Sequence, residues 1–100
     1  STFNYILEYT MDSEDFKSKN LSELLNIYES ALQTILKGVQ DPNAHEIAGL
    51  VSPVIRERIE AMQKTNDPNY IIFHRLYLAL LEKDQRWYSE HKNRTGTAYA

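Results

Sequence analysis

Glycine and proline are rare in this chain, and their positions constrain its fold more than any other feature of the sequence. Three residues of each type occur among the 100. Gly38, Pro42 and Pro68 stand where amphipathic segments end or begin, as is typical of glycine after a helix and of proline at its first position. The long segments between such residues predict a helical chain.

The clearest predicted helix covers residues 20–37. Asn20 and Glu23 have the spacing of a capping box, in which two side chains satisfy the free amides at the start of a helix. At about 100° per residue, one half of this helix is apolar and the other half is polar. Gly38 can then adopt the left-handed conformation that ends many helices. This segment is therefore expected to lie on a core.

Further helices are predicted around the prolines. Asp41-Pro42 and Asp67-Pro68 each combine a capping acid with proline at the first helical position. Ser52-Pro53 falls within an apolar pattern, and because proline inside a helix removes a hydrogen bond, we expect two short helices there rather than one. The predicted ranges are 42–51, 53–64 and 68–91.

The N-terminal segment permits two interpretations. Apolar residues alternate from Phe3 to Met11 as they do in a strand. No second strand is recognisable, however, and a lone strand leaves its backbone groups unpaired. We expect a helix over residues 2–11, with a strand that pairs with a second copy as the alternative. The predicted fold is an all-α, single-domain bundle of four or five short helices over residues 1–92, followed by a flexible tail over 93–100.

The composition excludes several classes of function. Apolar residues make up 42% of the chain and charged residues 25%, which suits a globular protein with one core. The absence of cysteine excludes disulfide scaffolds, cysteine-ligated metals and cysteine nucleophiles. No apolar stretch approaches the roughly 18 residues of a membrane span, and the N-terminus lacks the pattern of a signal peptide. We expect a cytoplasmic protein without membrane association.

No motif predicts catalysis. An active site needs a convergent set such as a nucleophile beside a base or two carboxylates in different environments, and we recognise no such set. His45, His74 and His91 lack the spacing of metal ligands. We therefore expect no enzymatic activity, no cofactor and no metal, and we expect the three histidines to be surface or half-buried side chains.

Two charged residues fall within apolar helix faces. Arg58 lies in the apolar arc of the segment after Ser52, and Asp84 lies in that of the last helix. Because a buried guanidinium needs a partner, we hypothesise that the two form a structural ion pair between helices. In the alternative, Arg58 extends past the edge of the core and Asp84 marks where the last helix leaves it.

The last predicted helix carries more apolar surface than one contact requires. Its main arc spans about 180°, and Ile71 and Leu78 form a strip beyond that arc. In the alternative that we favour, this helix is the central member of the bundle and other helices contact it from several sides. Otherwise, the strip binds another chain. Ile72 and Leu76 belong to the main arc and are expected to face the core.

The predicted function follows mainly by elimination. We expect a non-enzymatic regulatory or adaptor module that binds another protein, with a homodimer as one form of that binding. Ile71 and Leu78 are candidate interaction residues because they form the strip beyond the main arc. Trp87 and Tyr88 are further candidates, because tyrosine and tryptophan are favoured at interfaces.

The alternative is a nucleic-acid-associated regulator that uses the basic end of the last helix. Residues 1–50 carry three lysines against eight acidic residues, whereas residues 51–100 carry eight basic residues against six acidic ones. The candidate basic face consists of Arg75, Lys83, Arg86, Lys92 and Arg94. A formal net charge of −3 makes nucleic acid the less favoured partner.

Overall fold

The structure, a computed structural model, describes residues 12–95, with side chains up to His91. This part of the chain forms four helices and no strand, which confirms the all-α fold class. The helices are α1 (Glu14–Lys17), α2 (Leu21–Leu36), α3 (Pro42–Lys64) and α4 (Tyr70–Thr95). None of them is both long and apolar enough to cross a membrane. Residues 2–11, predicted as a helix or a pairing strand, lie outside the described residues.

The ends of α2 confirm the predicted capping residues. The Asn20 side chain accepts a hydrogen bond from the backbone N–H of Glu23 at 2.9 Å, and its amide donates to the Glu23 carboxylate at 2.7 Å. Glu23 thus binds the side chain of Asn20, whereas in a capping box it would bind the backbone amide. After the helix, Gly38 adopts φ 80°, the left-handed conformation that was predicted.

α3 is one continuous helix, so the prediction of two short helices over 42–51 and 53–64 is wrong. Pro53 lies inside this helix and is exposed. Because proline has no backbone N–H, the Gly49 carbonyl four residues earlier loses its helical donor. Gly49 is also exposed, so its carbonyl can bind water. The buried residues keep helical spacing across the proline: Ala44, Ala48, Val51, Val54, Ile55 and Ile59. Burial of this continuous face outweighs the roughly 3 kcal/mol that an internal proline costs.

α4 begins two residues later than predicted. The Asp67 carboxylate accepts a hydrogen bond from the backbone N–H of Asn69 at 2.9 Å, and the Asp67 carbonyl accepts one from Tyr70 at 3.0 Å. Asp67-Pro68 therefore forms the turn that leads into the helix. The helix continues to Thr95, beyond the predicted end near His91 and into the range predicted as a tail.

The core lies mainly between α2 and α3, and α4 packs against both. Among the described residues, α4 contributes only Tyr77 and Leu80 as buried apolar side chains, and α1 contributes Phe16. α3 packs against each of the other three helices. The central helix of the described chain is therefore α3, and the expectation that α4 would take this place is wrong.

Candidate functional site

α4 exposes four large aliphatic side chains between residues 71 and 78. The exposed fraction is 56% for Ile71, 60% for Ile72, 51% for Leu76 and 46% for Leu78. We call these four residues the α4 apolar surface. Two other large apolar side chains are exposed in the described chain, both near the end of α2: Leu36 and Val39. The α4 apolar surface is thus the densest exposed apolar group of the described residues.

This surface has two sides, about 130° apart on the helix. Ile71 and Leu78 form the strip that the sequence predicted, and both are exposed. Leu78 also borders a groove of about 300 Å³ between α3 and α4. Ile72 and Leu76, which were expected to face the core, are exposed instead. α4 is therefore rotated relative to the predicted arc.

A cluster of polar side chains holds α4 in this rotation. The Tyr28 hydroxyl of α2 donates to Asp84 Oδ2 at 2.7 Å, and Ser52 Oγ of α3 lies 2.8 Å from the Tyr77 hydroxyl. The rings of Tyr28 and Tyr77 lie 6.1 Å apart. We call these four residues the core polar cluster. Burial, followed by the hydrogen bond to Asp84, raises the pKa of Tyr28, so its hydroxyl stays protonated and remains a donor.

Arg58 and Asp84 do not pair with each other as predicted. Arg58 faces α1, where its guanidinium donates to the carbonyl of Lys19 at 2.9 Å and to that of Lys17. It thereby satisfies carbonyls at and just after the end of α1 and attaches this short helix to α3. Asp84 faces α2, and its Oδ1 is buried without a hydrogen-bond partner in the described chain. Both residues are half-buried, and each is hydrogen-bonded to uncharged groups: Arg58 to backbone carbonyls and Asp84 to the Tyr28 hydroxyl.

Trp87 and Tyr88 lie further along α4 than the α4 apolar surface and are half-buried. The Trp87 ring stacks on that of His91, with centroids 4.0 Å apart, and lies 5.0 Å from the His45 ring of α3. Tyr88 packs edge-on against Trp87 at 5.4 Å. The structure thus separates these two candidates from Ile71 and Leu78, and it places them in an aromatic cluster between α3 and α4.

The aromatic cluster borders a pocket of about 620 Å³ formed by the end of α2, the start of α3 and α4. Burial lowers the pKa of His45 in this cluster, although Asp84 and Asp41 oppose the shift. His45, His74 and His91 are all half-buried, as expected. The described residues contain no group of three or more His, Asp or Glu side chains that could hold a metal ion.

The candidate basic face is only partly described. Arg75, Lys83 and Arg86 are exposed on the outer side of α4. Arg86 forms an ion pair with Glu82 at 2.7 Å, and Glu90 is exposed on the same side of the helix. The side chains of the remaining two members, Lys92 and Arg94, lie outside the described residues.

Sequence reasoning missed the core polar cluster. Tyr28 and Tyr77 resemble ordinary members of apolar arcs, and Ser52 was assigned to a helix start. Tyr28 and Asp84 are 56 residues apart, so no local pattern connects them. The available signal was a carboxylate in an apolar arc, which indicated that Asp84 needs a partner without identifying it.

Comparisons of the chain with protein-family models, with curated proteins and with solved structures found no match.

Proposed function

We propose that this protein is a small, non-enzymatic regulatory or adaptor module that binds another protein through the α4 apolar surface. The observation that carries the proposal is the exposure of four large aliphatic side chains between residues 71 and 78. Groups of exposed large apolar side chains mark interaction sites. Full burial of one such side chain contributes about 1.5–3 kcal/mol, so covering the exposed halves of the two on one side contributes about 2 kcal/mol.

The environment of the core polar cluster supports a non-enzymatic role. Tyr28 is fully buried, and its hydroxyl is bound to Asp84. Ser52 and Tyr77 are bound to each other between α3 and α4. These groups join three helices and are directed into the protein, which suits a structural role better than contact with a substrate. A cytoplasmic location stays a prediction of the sequence.

The proposal is tested by placing a charge on the surface. Leu76→Asp disrupts it, and Gln33→Asp on the exposed side of α2 is a matched control, because both positions are exposed. Tagged wild type and both variants are used to capture proteins from the native host, followed by quantitative mass spectrometry. We expect at least one protein to be retained by wild type and Gln33→Asp and to be lost about tenfold by Leu76→Asp, which corresponds to roughly 1.4 kcal/mol. Equal recovery of every protein by all three baits would refute the proposal.

A nucleic-acid-associated regulator is the second candidate, because Arg75, Lys83 and Arg86 are exposed on one side of α4. Two observations favour protein binding over it: Arg86 is engaged by Glu82, and the chain carries a net charge of −3. Retention on immobilised DNA or RNA that falls with rising salt and with Arg75→Ala would support this second candidate. Absence of retention at low salt would dispose of it.

A further inference from the structure

We infer that the protein bound on the Ile72 and Leu76 side of α4 is a second copy of this chain, docked with its own α4 antiparallel to the first. The inference rests on the proposed function, since it names the occupant of the same surface. Exposed residues on this side follow alternating spacings of four and three: Ile72, Leu76, Ala79, Lys83 and Arg86. This is the heptad spacing of residues that face a partner helix.

Charge selects the antiparallel arrangement. In a parallel pair, each residue faces its own counterpart, so Lys83 and Arg86 would each oppose the same cation. In an antiparallel pair with Leu76 against Ala79 of the second copy, the flanking Arg75 lies opposite Glu82 of the second copy. Twofold symmetry makes the reverse pair as well, so two ion pairs form. Arg75 and Glu82 are both exposed.

The same register provides the apolar contacts. Leu76 packs on Ala79 of the second copy, where the small side chain lets the helices approach closely. Ile72 lies against Lys83 of the second copy, whose aliphatic stem can cover it while the ammonium group stays in water. Each contact occurs twice. Within one chain Glu82 binds Arg86, but exposed ion pairs of this kind contribute only about 0–1 kcal/mol, so Glu82 is easily shared with Arg75 of the second copy.

The size of the contact sets the expected affinity. Residues 72–83 of α4 extend over about 16 Å, which is short for a helix interface. Stable dimers bury about 1,200–2,000 Å², and one such helix pair lies at or below the lower end of that range. Two copies of Ile72 and Leu76 contribute about 4 kcal/mol and two exposed ion pairs up to about 1 kcal/mol each, so we expect a dissociation constant on the order of 100 µM.

Exchange of charges tests the predicted ion pairs. Arg75→Glu alone places two acids opposite each other twice, and Glu82→Arg alone places two cations opposite each other twice. We expect each variant to be monomeric at about 1 mM, a concentration about tenfold above the expected dissociation constant. An equimolar mixture should form a heterodimer in which both pairs are restored. The measurement is sedimentation equilibrium, with circular dichroism to show that each variant is folded and Gln33→Glu on α2 as a control that should stay dimeric.

Cysteine cross-linking tests the orientation independently, because the chain contains no cysteine of its own. In the antiparallel register Ile72 faces Lys83 of the second copy, whereas Ile72 and its own counterpart lie about 16 Å apart along the helix axis. Mild oxidation of mixed Ile72→Cys and Lys83→Cys chains should therefore give the mixed disulfide as the main product. Cross-linking chiefly between two chains that both carry Ile72→Cys would overturn the antiparallel arrangement.

The outcomes separate this inference from the proposed function. A wild-type chain that stays monomeric at about 1 mM, or a dimer that withstands both single charge reversals, overturns the inference. If Leu76→Asp then still loses a captured host protein, the protein-binding function stands with a different occupant. If Leu76→Asp loses none, both fail.

Discussion

Removal of a single hydroxyl tests whether the contact between Tyr28 and Asp84 holds α4 in place. Tyr28 is fully buried, and its hydroxyl donates to Asp84 Oδ2 at 2.7 Å. Tyr28→Phe keeps the ring and its packing. It leaves the Asp84 carboxylate without a donor in the described chain, because Oδ1 has none. The variant therefore measures the cost of a half-buried charge that has lost its hydrogen bond.

The expected magnitude follows from the charge and the burial of Asp84. A hydrogen bond to a charged group contributes about 1.5–3 kcal/mol to stability. Because Asp84 is half-buried, water replaces part of the lost interaction, and we expect Tyr28→Phe to lower the free energy of unfolding by about 2 kcal/mol. Asp84→Leu in the Tyr28→Phe background removes the charge itself. Replacing both partners with apolar groups should recover most of the loss.

Urea unfolding followed by circular dichroism measures these changes. With a urea dependence of about 1–3 kcal/mol per M, a loss of about 2 kcal/mol moves the midpoint by roughly 1 M. Ser52→Ala is a control from the same cluster: it removes a hydroxyl that contacts Tyr77 but strands no charge, so it should cost about 1 kcal/mol or less. An unchanged midpoint for Tyr28→Phe, or a double variant less stable than the single one, would refute the reasoning.

Two further variants test other features of the fold. Pro53→Ala restores a backbone donor to the exposed Gly49 carbonyl, and it should stabilise the protein by about 1–2 kcal/mol in urea unfolding, after allowance for the greater freedom of the unfolded chain; a less stable variant would contradict this. Because burial lowers the pKa of His45 below its ordinary 6.5, the unfolded chain binds the proton more readily, and stability should fall as the pH drops below about 6.5. Thermal unfolding of His45→Gln should show a smaller decrease between about pH 7.5 and 5.5, and equal decreases would count against the assigned cause.

Local sequence signals predicted the ends of helices better than their continuity. Asn20 and Gly38 act through contacts within a few residues of themselves, so the start and exit of α2 could be recognised without knowledge of the fold. Pro53 has a local cost that the sequence also shows. The opposing gain is the burial of one face of α3 against α2 and α4, which depends on residues far away in the chain. From the local sequence alone, Pro53 indicated a break in the helix, whereas the packing of α3 keeps the helix continuous.

The exposed surface was predictable only in part. A helical wheel shows that Ile71 and Leu78 lie outside the main apolar arc of α4, and both are exposed. The arc itself is wider than the face that α4 buries, and a wheel does not show which part of a wide arc turns inward. Ile72 and Leu76 were misplaced for this reason. The rotation depends on Tyr28 and Ser52, which belong to other helices.

The core polar cluster and the outward position of Ile72 and Leu76 result from one rotation of α4. On the helix, these two residues lie about 100° from Asp84. Turning α4 to bury them would carry Asp84 away from Tyr28 and the Tyr77 hydroxyl away from Ser52. Such a turn would also expose Tyr77, which is now buried, and would bury Lys83, which lies between Ile72 and Leu76 around the helix. The hydrogen bonds of the core polar cluster and the burial of Tyr77 and Leu80 both favour the observed orientation, with a carboxylate inside and aliphatic side chains outside. That orientation leaves Ile72 and Leu76 available to a second chain, and covering them would stabilise the complex of the two chains.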